Sequence, residues 1–269
     1  MKTLSEGDPY TGKLGARTDA QEITVCPPSH RMSPYLAHFN GNGVIPNLFL
    51  SGFRRKGWTP YLVGGALRRF LIRSTWGAMG SDKEEIPNDV DIVIDAVPSN
   101  TSLHDFLKQY FADLHINGFG GVKCRCPNGL TQLDFWSISD DFNVRSARAT
   151  RNIRGFIKST LLDVNTMALD LDSGLLHEAD AFRAVKDGII GFNRQPLSSE
   201  PHYLSNLGHV LEVLAETRFE AAPEVADSLR TAWQEGNLPG ILRIVSRRKP
   251  GAMQQVEAIL DGLFLRLKR

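Results

Sequence analysis

The feature that most constrains the fold of this chain is a glycine turn between an apolar strand and a helix, followed by a strand that begins with two aspartates. The first strand is predicted over 59–63, and it ends at the pair Gly64-Gly65. The second strand begins at Asp89. Side chains alternate along a strand. Asp89 and Asp91 are therefore predicted to share one face, opposite the apolar residues beside them.

This arrangement has a chemical meaning. Glycines have no Cβ, so the backbone N–H groups of Gly64 and Gly65 at a helix start can approach a phosphate closely. Two carboxylates on one face suit Mg²⁺, which usually binds one or two carboxylates together with substrate phosphates. The helix after the turn is predicted to bury Leu67, Phe70 and Leu71 and to expose Arg68, Arg69 and Arg73.

A β-hairpin is predicted further along the chain. Two alternating runs, 121–126 and 131–136, flank the pair Asn128-Gly129, which is the strongest short signal for a hairpin. A two-residue loop places Lys123 opposite Asp134 on one face. The other face carries Cys124, Cys126, Leu133 and Phe135.

Composition indicates an ordinary globular protein with no general attraction to nucleic acid. The chain has 269 residues, 42% of them hydrophobic and 23% charged, and its net charge is +1, so a basic site must be local. Three cysteines make neither a disulfide framework nor a four-cysteine zinc site, which fits a reducing cytoplasm. No apolar run reaches membrane-spanning length, and we expect neither a membrane segment nor a signal peptide.

Three regions are predicted. Residues 1–43 are polar and rich in Gly, Pro and Ser. We interpret them as a flexible arm, either a tail without function or a segment that docks on the body. Residues 44–196 form a mixed α/β head. Residues 197–269 form a helical region, with helices predicted over 203–217, 223–235, 237–247 and 251–267.

A row of basic residues follows the hairpin at spacings near three: Arg145, Arg148, Arg151, Arg154 and Lys158. On a helix this spacing forms a ridge. A solvated face and a surface for triphosphate or nucleic-acid backbone are two equal interpretations of such a ridge.

The glycine turn and the aspartate strand resemble the "LVGGxVRD" and "D(V/I)DI" motifs of a known family. It is the nucleotidyltransferase head domain of bacterial poly(A) polymerases and CCA-adding enzymes, within the polymerase-beta-like superfamily. Residues 163–170 resemble that family's "RDFTINAMAYD", and the resemblance spans roughly 45–195. It implies an α+β fold: a small mixed or antiparallel sheet flanked by helices, then a small all-helical neck-like domain.

The resemblance also implies an activity: transfer of a nucleoside monophosphate from a nucleoside triphosphate, ATP or CTP, with two Mg²⁺ ions. The acceptor it implies is an RNA 3′ end like that of tRNA. A protein or small-molecule acceptor, a non-catalytic nucleotide- or RNA-binding module, and a homo-oligomer are alternatives that the sequence leaves open.

Site residues are carried over from the same resemblance. The implied catalytic and metal-binding acids are Asp89, Asp91 and Asp134. The implied nucleotide-binding residues are Gly64, Gly65, Arg68, Lys123 and Asn165. For Asp134, a structural alternative is a simple pair with Lys123 across the hairpin, although an acid flanked by core residues is costly without a partner.

The sequence also departs from the family. Arg69 replaces the acid of "GGxVRD", and Thr160 and Leu161 replace the Arg-Asp pair before the third motif. The arginines of the family's neck, which contact the incoming nucleotide, are replaced by Asn206, His209 and Glu212. The metal-binding acids are therefore kept while the residues that select the nucleotide are not, which predicts a different nucleotide or acceptor.

Overall fold

The computed structural model describes residues 24–26, 47–76, 89–117, 120–126, 129, 131–146 and 148–265. Strands are numbered in chain order over these residues. They are β1 (Thr24–Cys26), β2 (Thr59–Val63), β3 (Asp89–Asp95), β4 (His115–Ile116), β5 (Val122–Arg125), β6 (Gln132–Ser137), β7 (Met167–Asp170), β8 (Leu176–Glu178), β9 (Ile189–Ile190) and β10 (Glu220–Ala221).

The α-helices are numbered in the same way. They are α1 (Asn47–Lys56), α2 (Gly64–Trp76), α3 (Asn100–Leu107), α4 (Phe142–Arg145), α5 (Ile153–Ser159), α6 (Ala181–Asp187), α7 (Tyr203–Thr217), α8 (Pro223–Gln234), α9 (Leu238–Arg248) and α10 (Met253–Leu265). The fold is α+β, as the resemblance implied. The last four helices agree with the four predicted ones to within two residues at each end, because their apolar spacing is regular.

One mixed sheet forms the body, with strand order β1-β8-β7-β2-β3-β6-β5-β4. All neighbouring strands are antiparallel except β3 and β6, which are parallel. The parallel pair needs a crossover connection, which α3 begins. A separate pair, β9 and β10, is parallel.

The two faces of the sheet are covered unequally. One face packs against α1, α2 and α3 around residues such as Phe49, Leu67 and Leu107. The other face carries a smaller cluster in which α5 supplies Ile153 and Ile157. Helix α5 leaves part of this second face uncovered, and the odd-numbered residues at the start of β3 lie there.

A single hydrophobic core continues from the sheet into the C-terminal helices. Val185 of α6, Leu207 of α7 and Val256 of α10 are fully buried members of the same cluster as the sheet residues. The boundary between regions at 196 and 197 stays a prediction, because packing is continuous across it. No helix among the described residues is long and apolar enough to cross a membrane.

Part of the predicted arm lies in the sheet. Residues 24–26 form β1, which pairs antiparallel with β8 in the register Thr24 to Glu178. This segment therefore follows the docking alternative, and the rest of residues 1–43 lies outside the described residues.

The predicted hairpin is present with the predicted register. Lys123 pairs with Asp134 and Arg125 pairs with Gln132, although Asn128 of the turn lies outside the described residues. Cys124 and Cys126 are buried on the opposite face. Burial raises the pKa of each of these two thiols to about 12, so both are protonated at neutral pH.

We expect these two thiols to be chemically inert in the folded protein, because the thiolate is the reactive form. In a Cys26→Ser background, a disulfide reagent at pH 8 should modify them at least about tenfold more slowly than in denaturant. Equal rates in the two conditions would contradict their burial.

Candidate active site

The predicted acids lie together on the open part of the sheet. Asp91 of β3 is directly opposite Asp134 of the parallel strand β6, and Asp89 is opposite Gln132. Neighbouring strands lie about 4.8 Å apart and opposed residues share a face, so the Asp91 and Asp134 side chains point the same way. The exposure along β3 alternates as predicted, with Asp89 exposed, Val90 buried and Asp91 half-buried.

The glycine turn closes one side of these acids. Gly64 begins α2 with a φ of +72°, and a Cβ at this position would collide with the Asp91 carboxylate. Two observations therefore favour glycine at position 64: the backbone has a left-handed conformation, and the Asp91 carboxylate leaves no room for a side chain. Strand β2, which leads into the glycine turn, pairs antiparallel with the aspartate strand β3, and Val63 at its end is opposite Asp91.

Asp91 has an unusual charge state. Burial, followed by repulsion from Asp89 and Asp134, raises its pKa to about 7, and the positive charges of Lys123 and Arg68 offset only part of this rise. A cation bound nearby would stabilise the ionised form of this carboxyl group and lower its pKa. A perturbed acid in a cleft is also a common mark of a functional site.

Asp134 is held by two neighbours. Its Oδ2 accepts a hydrogen bond from Lys123 Nζ at 2.9 Å, and its Oδ1 accepts one from Asn117 Nδ2 at 3.0 Å. Burial raises the pKa of Asp134 although both partners lower it in part. The structural alternative, a pair between Lys123 and Asp134, is therefore present alongside the placement next to Asp91.

The donor set is compatible with Mg²⁺ only in part. Asp89 and Asp91 are oxygen donors on one face, and the raised pKa of Asp91 indicates an uncompensated negative charge. In the described part of the chain, however, no group of three or more His, Cys, Asp or Glu side chains is arranged to hold a metal ion as it stands. The roles of these acids as ligands stay predictions.

A cleft of about 990 Å³ begins at Asp91 and Asp134. Its inner end is lined by Gly64, Asp91 and Asp134, and its outer end is lined by residues of α7 such as Asn206 and His209. A smaller cavity of about 360 Å³ adjoins the outer end. The cleft is large enough for a nucleotide.

The departures from the family's pattern cluster in this cleft. Thr160, Leu161, Asn206 and His209 all line it. Glu212 is buried, with its carboxylate 3.5 Å from the Nδ1 atom of His209. The inner end therefore carries residues that match the family's motifs, and the outer wall carries Asn206 and His209 where those motifs have arginines.

Arg68 does not lie where the sequence placed it. We predicted an exposed arginine, but Arg68 is only 2% exposed. Its Nη1 donates to Asn165 Oδ1 at 2.6 Å and its Nη2 donates to Glu216 Oε1 at 3.1 Å. The prediction of exposure was wrong because Asn165 and Glu216, which lie far along the chain, contact Arg68, and the local pattern does not encode such contacts.

Glu216 is a partner of Arg68 that the sequence did not reveal. Besides Arg68, it accepts from Arg69 Nη1 at 3.3 Å and from Lys249 Nζ at 3.0 Å. Burial would raise the pKa of Glu216, but these positive charges lower it to about 2. Nothing in the local sequence around Glu216 marks it, since its partners lie 147 and 148 residues away on one side and 33 away on the other.

Glu216 should therefore stabilise the fold in a pH-dependent way. Its folded pKa of about 2 lies below its ordinary value of 4.5, so the stabilisation is complete above pH 4.5 and is lost as the pH falls toward 2. We expect Glu216→Gln to lower the free energy of unfolding at pH 7 by about 3 kcal/mol, because it also leaves Arg68 buried without its counter-ion. Urea unfolding at pH 7 and at pH 3 should show this difference shrinking at the lower pH.

The predicted basic ridge is not one helix. Arg145 ends α4 and Arg154 lies on α5, and the two helices are separated by a segment whose described residues are not helical. Arg148 pairs with Glu200 at 2.8 Å, and Arg151 Nε donates to Ser139 Oγ at 2.6 Å. Of the four predicted arginines, only Arg145 lines the cleft. The ridge prediction was wrong because Asn152 ends the bend and caps a new helix, with its side chain accepting from Gly155 N.

Several solved structures, of CCA-adding enzymes and of a tRNA nucleotidyltransferase, have folds similar to that of this chain. One is a CCA-adding enzyme in complex with ATP, with a TM-score of 0.53 and 16% identity over 86% of this chain and 50% of that one. Another is the Thermotoga maritima CCA-adding enzyme complexed with tRNA, with a TM-score of 0.53 and 15% identity over 88% of this chain and 55% of that one. A third is a tRNA nucleotidyltransferase complexed with a primer tRNA and an incoming ATP analog, with a TM-score of 0.55 and 16% identity over 79% of this chain and 59% of that one.

These likenesses show the fold, which is the one that the sequence motifs implied. The chain spans between about half and three fifths of the length of these three structures. No family model matches the sequence, and no curated protein matches it either.

Proposed function

We propose that this protein is a nucleotidyltransferase, which moves a nucleoside monophosphate from a nucleoside triphosphate to an acceptor hydroxyl. The observation that carries the proposal is the convergence of Asp91, Asp134 and Gly64 at the inner end of the cleft. Solved structures of this fold have been described with ATP, CTP and tRNA.

Each residue of the inner end has a proposed task. The turn at Gly64 and Gly65 would receive the triphosphate, because it brings backbone close to the cleft without Cβ atoms. Asp89 and Asp91 would hold Mg²⁺, which neutralises the charge of the phosphates and the leaving pyrophosphate when bound. Lys123 would add positive charge beside Asp134. Phosphoryl-type transfer asks a protein mainly for this positioning and charge compensation.

We propose an RNA 3′ end as the acceptor. The outer end of the cleft and its adjoining cavity are lined by Arg145, Arg194 and Arg248. Buried Glu200 accepts from Arg194 at 2.7 Å, so not every arginine there is available. Because the family's neck arginines are absent, we expect selection among the nucleotides to differ from that of a CCA-adding enzyme.

One observation favours a second function, a nucleotide- or RNA-binding module without turnover. The Asp134 carboxylate is already bound by Lys123 and Asn117. If this pair persists when nucleotide binds, Asp134 cannot activate an acceptor hydroxyl.

The two functions are separated by incubating the purified protein with each of four α-labelled nucleoside triphosphates, Mg²⁺ and total RNA. A nucleotidyltransferase incorporates label from at least one of them, and the preferred nucleotide is then known. Labelled product should be sensitive to ribonuclease if the acceptor is RNA. Nucleotide binding without incorporation, and without dependence on Mg²⁺, would favour the binding module.

The contribution of the basic residues is tested by measuring the affinity for single-stranded RNA at several salt concentrations. We expect Arg145→Glu to weaken the binding of single-stranded RNA by about tenfold and to reduce its salt dependence. Arg154→Glu, an exposed charge that does not line the cleft, is the matched control. Equal affinities of the two variants would mean that Arg145 belongs to a solvated face.

A further inference from the structure

We propose that Glu216 of α7 is a positioning residue of the nucleotide site, which fixes Arg68 and, through Arg68, the amide of Asn165. The inference rests on the proposed function. It gives the C-terminal helices an indirect part in nucleotide binding, through Arg68 and Asn165, in addition to any contact with an acceptor.

The first step is the series of polar contacts that leads from Glu216 to the cleft, with Lys249 as a second partner of Glu216 outside this series. Lys249 donates to Glu216 Oε2, and Glu216 Oε1 accepts from Arg68, whose Nη1 donates to Asn165 Oδ1 at 2.6 Å. The Arg68 side chain is 3% exposed and that of Glu216 is 19% exposed. An ion pair so shielded from water has a defined geometry and is costly to break on one side.

The second step concerns the orientation of Asn165. A guanidinium group only donates hydrogen bonds, so the atom of Asn165 that faces Arg68 must be the oxygen. The amide nitrogen of Asn165, a double donor, is then left for a ligand in the cleft. Asn165 lines this cleft together with Gly64 and Asp91, where the acceptor atoms of a nucleotide would lie.

The third step explains the departure at Arg69. Position 69 carries an acid in the family that this sequence resembles, and an arginine stands there instead. Arg69 and Arg68 both donate to the same oxygen of Glu216. The carboxylate that serves Arg68 is therefore supplied from α7 in this chain, 148 residues away, rather than from the next residue along α2.

The experiment measures KM and kcat for the preferred nucleoside triphosphate in the full-length protein. Glu216→Gln should raise KM by about tenfold and change kcat by less than about threefold, because Arg68 and Asn165 act on binding. Adding Arg69→Glu to this variant returns a carboxylate to the neighbourhood of Arg68. The double variant should recover KM to within about threefold of the original protein.

Two further variants separate positioning from simple stabilisation. Lys249→Gln removes another ion pair of Glu216 without touching Arg68 or Asn165, and should lower Tm while leaving KM unchanged. Asp227→Asn removes a pair with Arg230 within α8 and should change neither. Circular dichroism and Tm confirm that each variant is folded.

An unchanged KM in Glu216→Gln overturns the inference, and so does a folded double variant whose KM stays high. If the original protein incorporates no nucleotide, the proposed function fails separately. The dissociation constant of ATP, measured by calorimetry, then takes the place of KM, and the same pattern across the variants tests the positioning role.

Discussion

Replacing Asp91 with Asn should abolish nucleotide incorporation and at the same time stabilise the folded protein at pH 8. Loss of the central carboxylate is expected to reduce the rate by on the order of 10²- to 10³-fold. The stabilisation follows from the pKa of Asp91, which is about 7 in the folded protein against 3.8 ordinarily. Above pH 7 the buried charge is unfavourable, and an amide of the same shape removes it.

The sign of the effect changes predictably with pH. The advantage of Asp91→Asn should be about 1–2 kcal/mol at pH 8, after allowance for partial solvent screening. It should shrink as the pH falls through 7 and vanish below about pH 4, where the carboxyl is protonated in both states. Differential scanning calorimetry at pH 8, 6 and 4 measures it.

Mg²⁺ provides an independent check of the same residue. It should raise the Tm of the original protein at pH 8 and should have a smaller effect on Asp91→Asn, because one proposed ligand is missing. Asp105→Asn, an exposed acid on α3, is the control. Loss of stability at pH 8 in Asp91→Asn, or an equal response to Mg²⁺, would contradict the charge state and the role that we assign.

Replacing Gly64 with Ala should lower both the stability of the fold and the rate of nucleotide incorporation. The substitution adds backbone strain at a φ of +72° and drives a Cβ into the Asp91 carboxylate. The strain alone costs about 1–2 kcal/mol. Because β3 cannot shift without disturbing its pairing on both sides, we expect incorporation to fall by on the order of 10²-fold as the acid moves.

Gly57 offers a matched control for this prediction. It caps α1 with a φ of +69°, but a Cβ there would have no neighbour within 4 Å. Gly57→Ala should therefore lower stability by about 1 kcal/mol with normal activity. If both variants lose stability equally and both stay active, the close approach of Gly64 to Asp91 does not contribute to activity.

Local patterns predicted most of what the fold needed. The alternation around Asp89 and Asp91 predicted their common face, and the pair Asn128-Gly129 predicted a register that brings Lys123 opposite Asp134. Such features depend on neighbouring residues or on a single short turn, so they can be predicted from a single sequence. The same holds for the four C-terminal helices, whose apolar residues recur at helical spacing.

Errors arose wherever long-range packing decided the outcome. Arg68 has the polarity of a surface residue, yet it is buried in the folded protein and Glu216 compensates its charge. The spacing of Arg145 to Arg154 fits a helical ridge, but Asn152 interrupts it with a new helix cap. For segment 24–26 the sequence left a tail and a docked arm open, and the tertiary structure decided for docking, because the segment extends the sheet beside β8.

The sequence by itself determined the glycine turn, the aspartate strand and the hairpin that delivers a third acid, because alternation and turn chemistry act within a few residues. Only the tertiary structure decided how these acids are shielded and which groups surround them. The pKa of Asp91, the burial of Arg68 and the contact of Glu216 with α2 all depend on charges and surfaces brought together from distant parts of the chain. Coulomb energy and desolvation depend on distance in space, and distance in space is what a linear pattern does not contain.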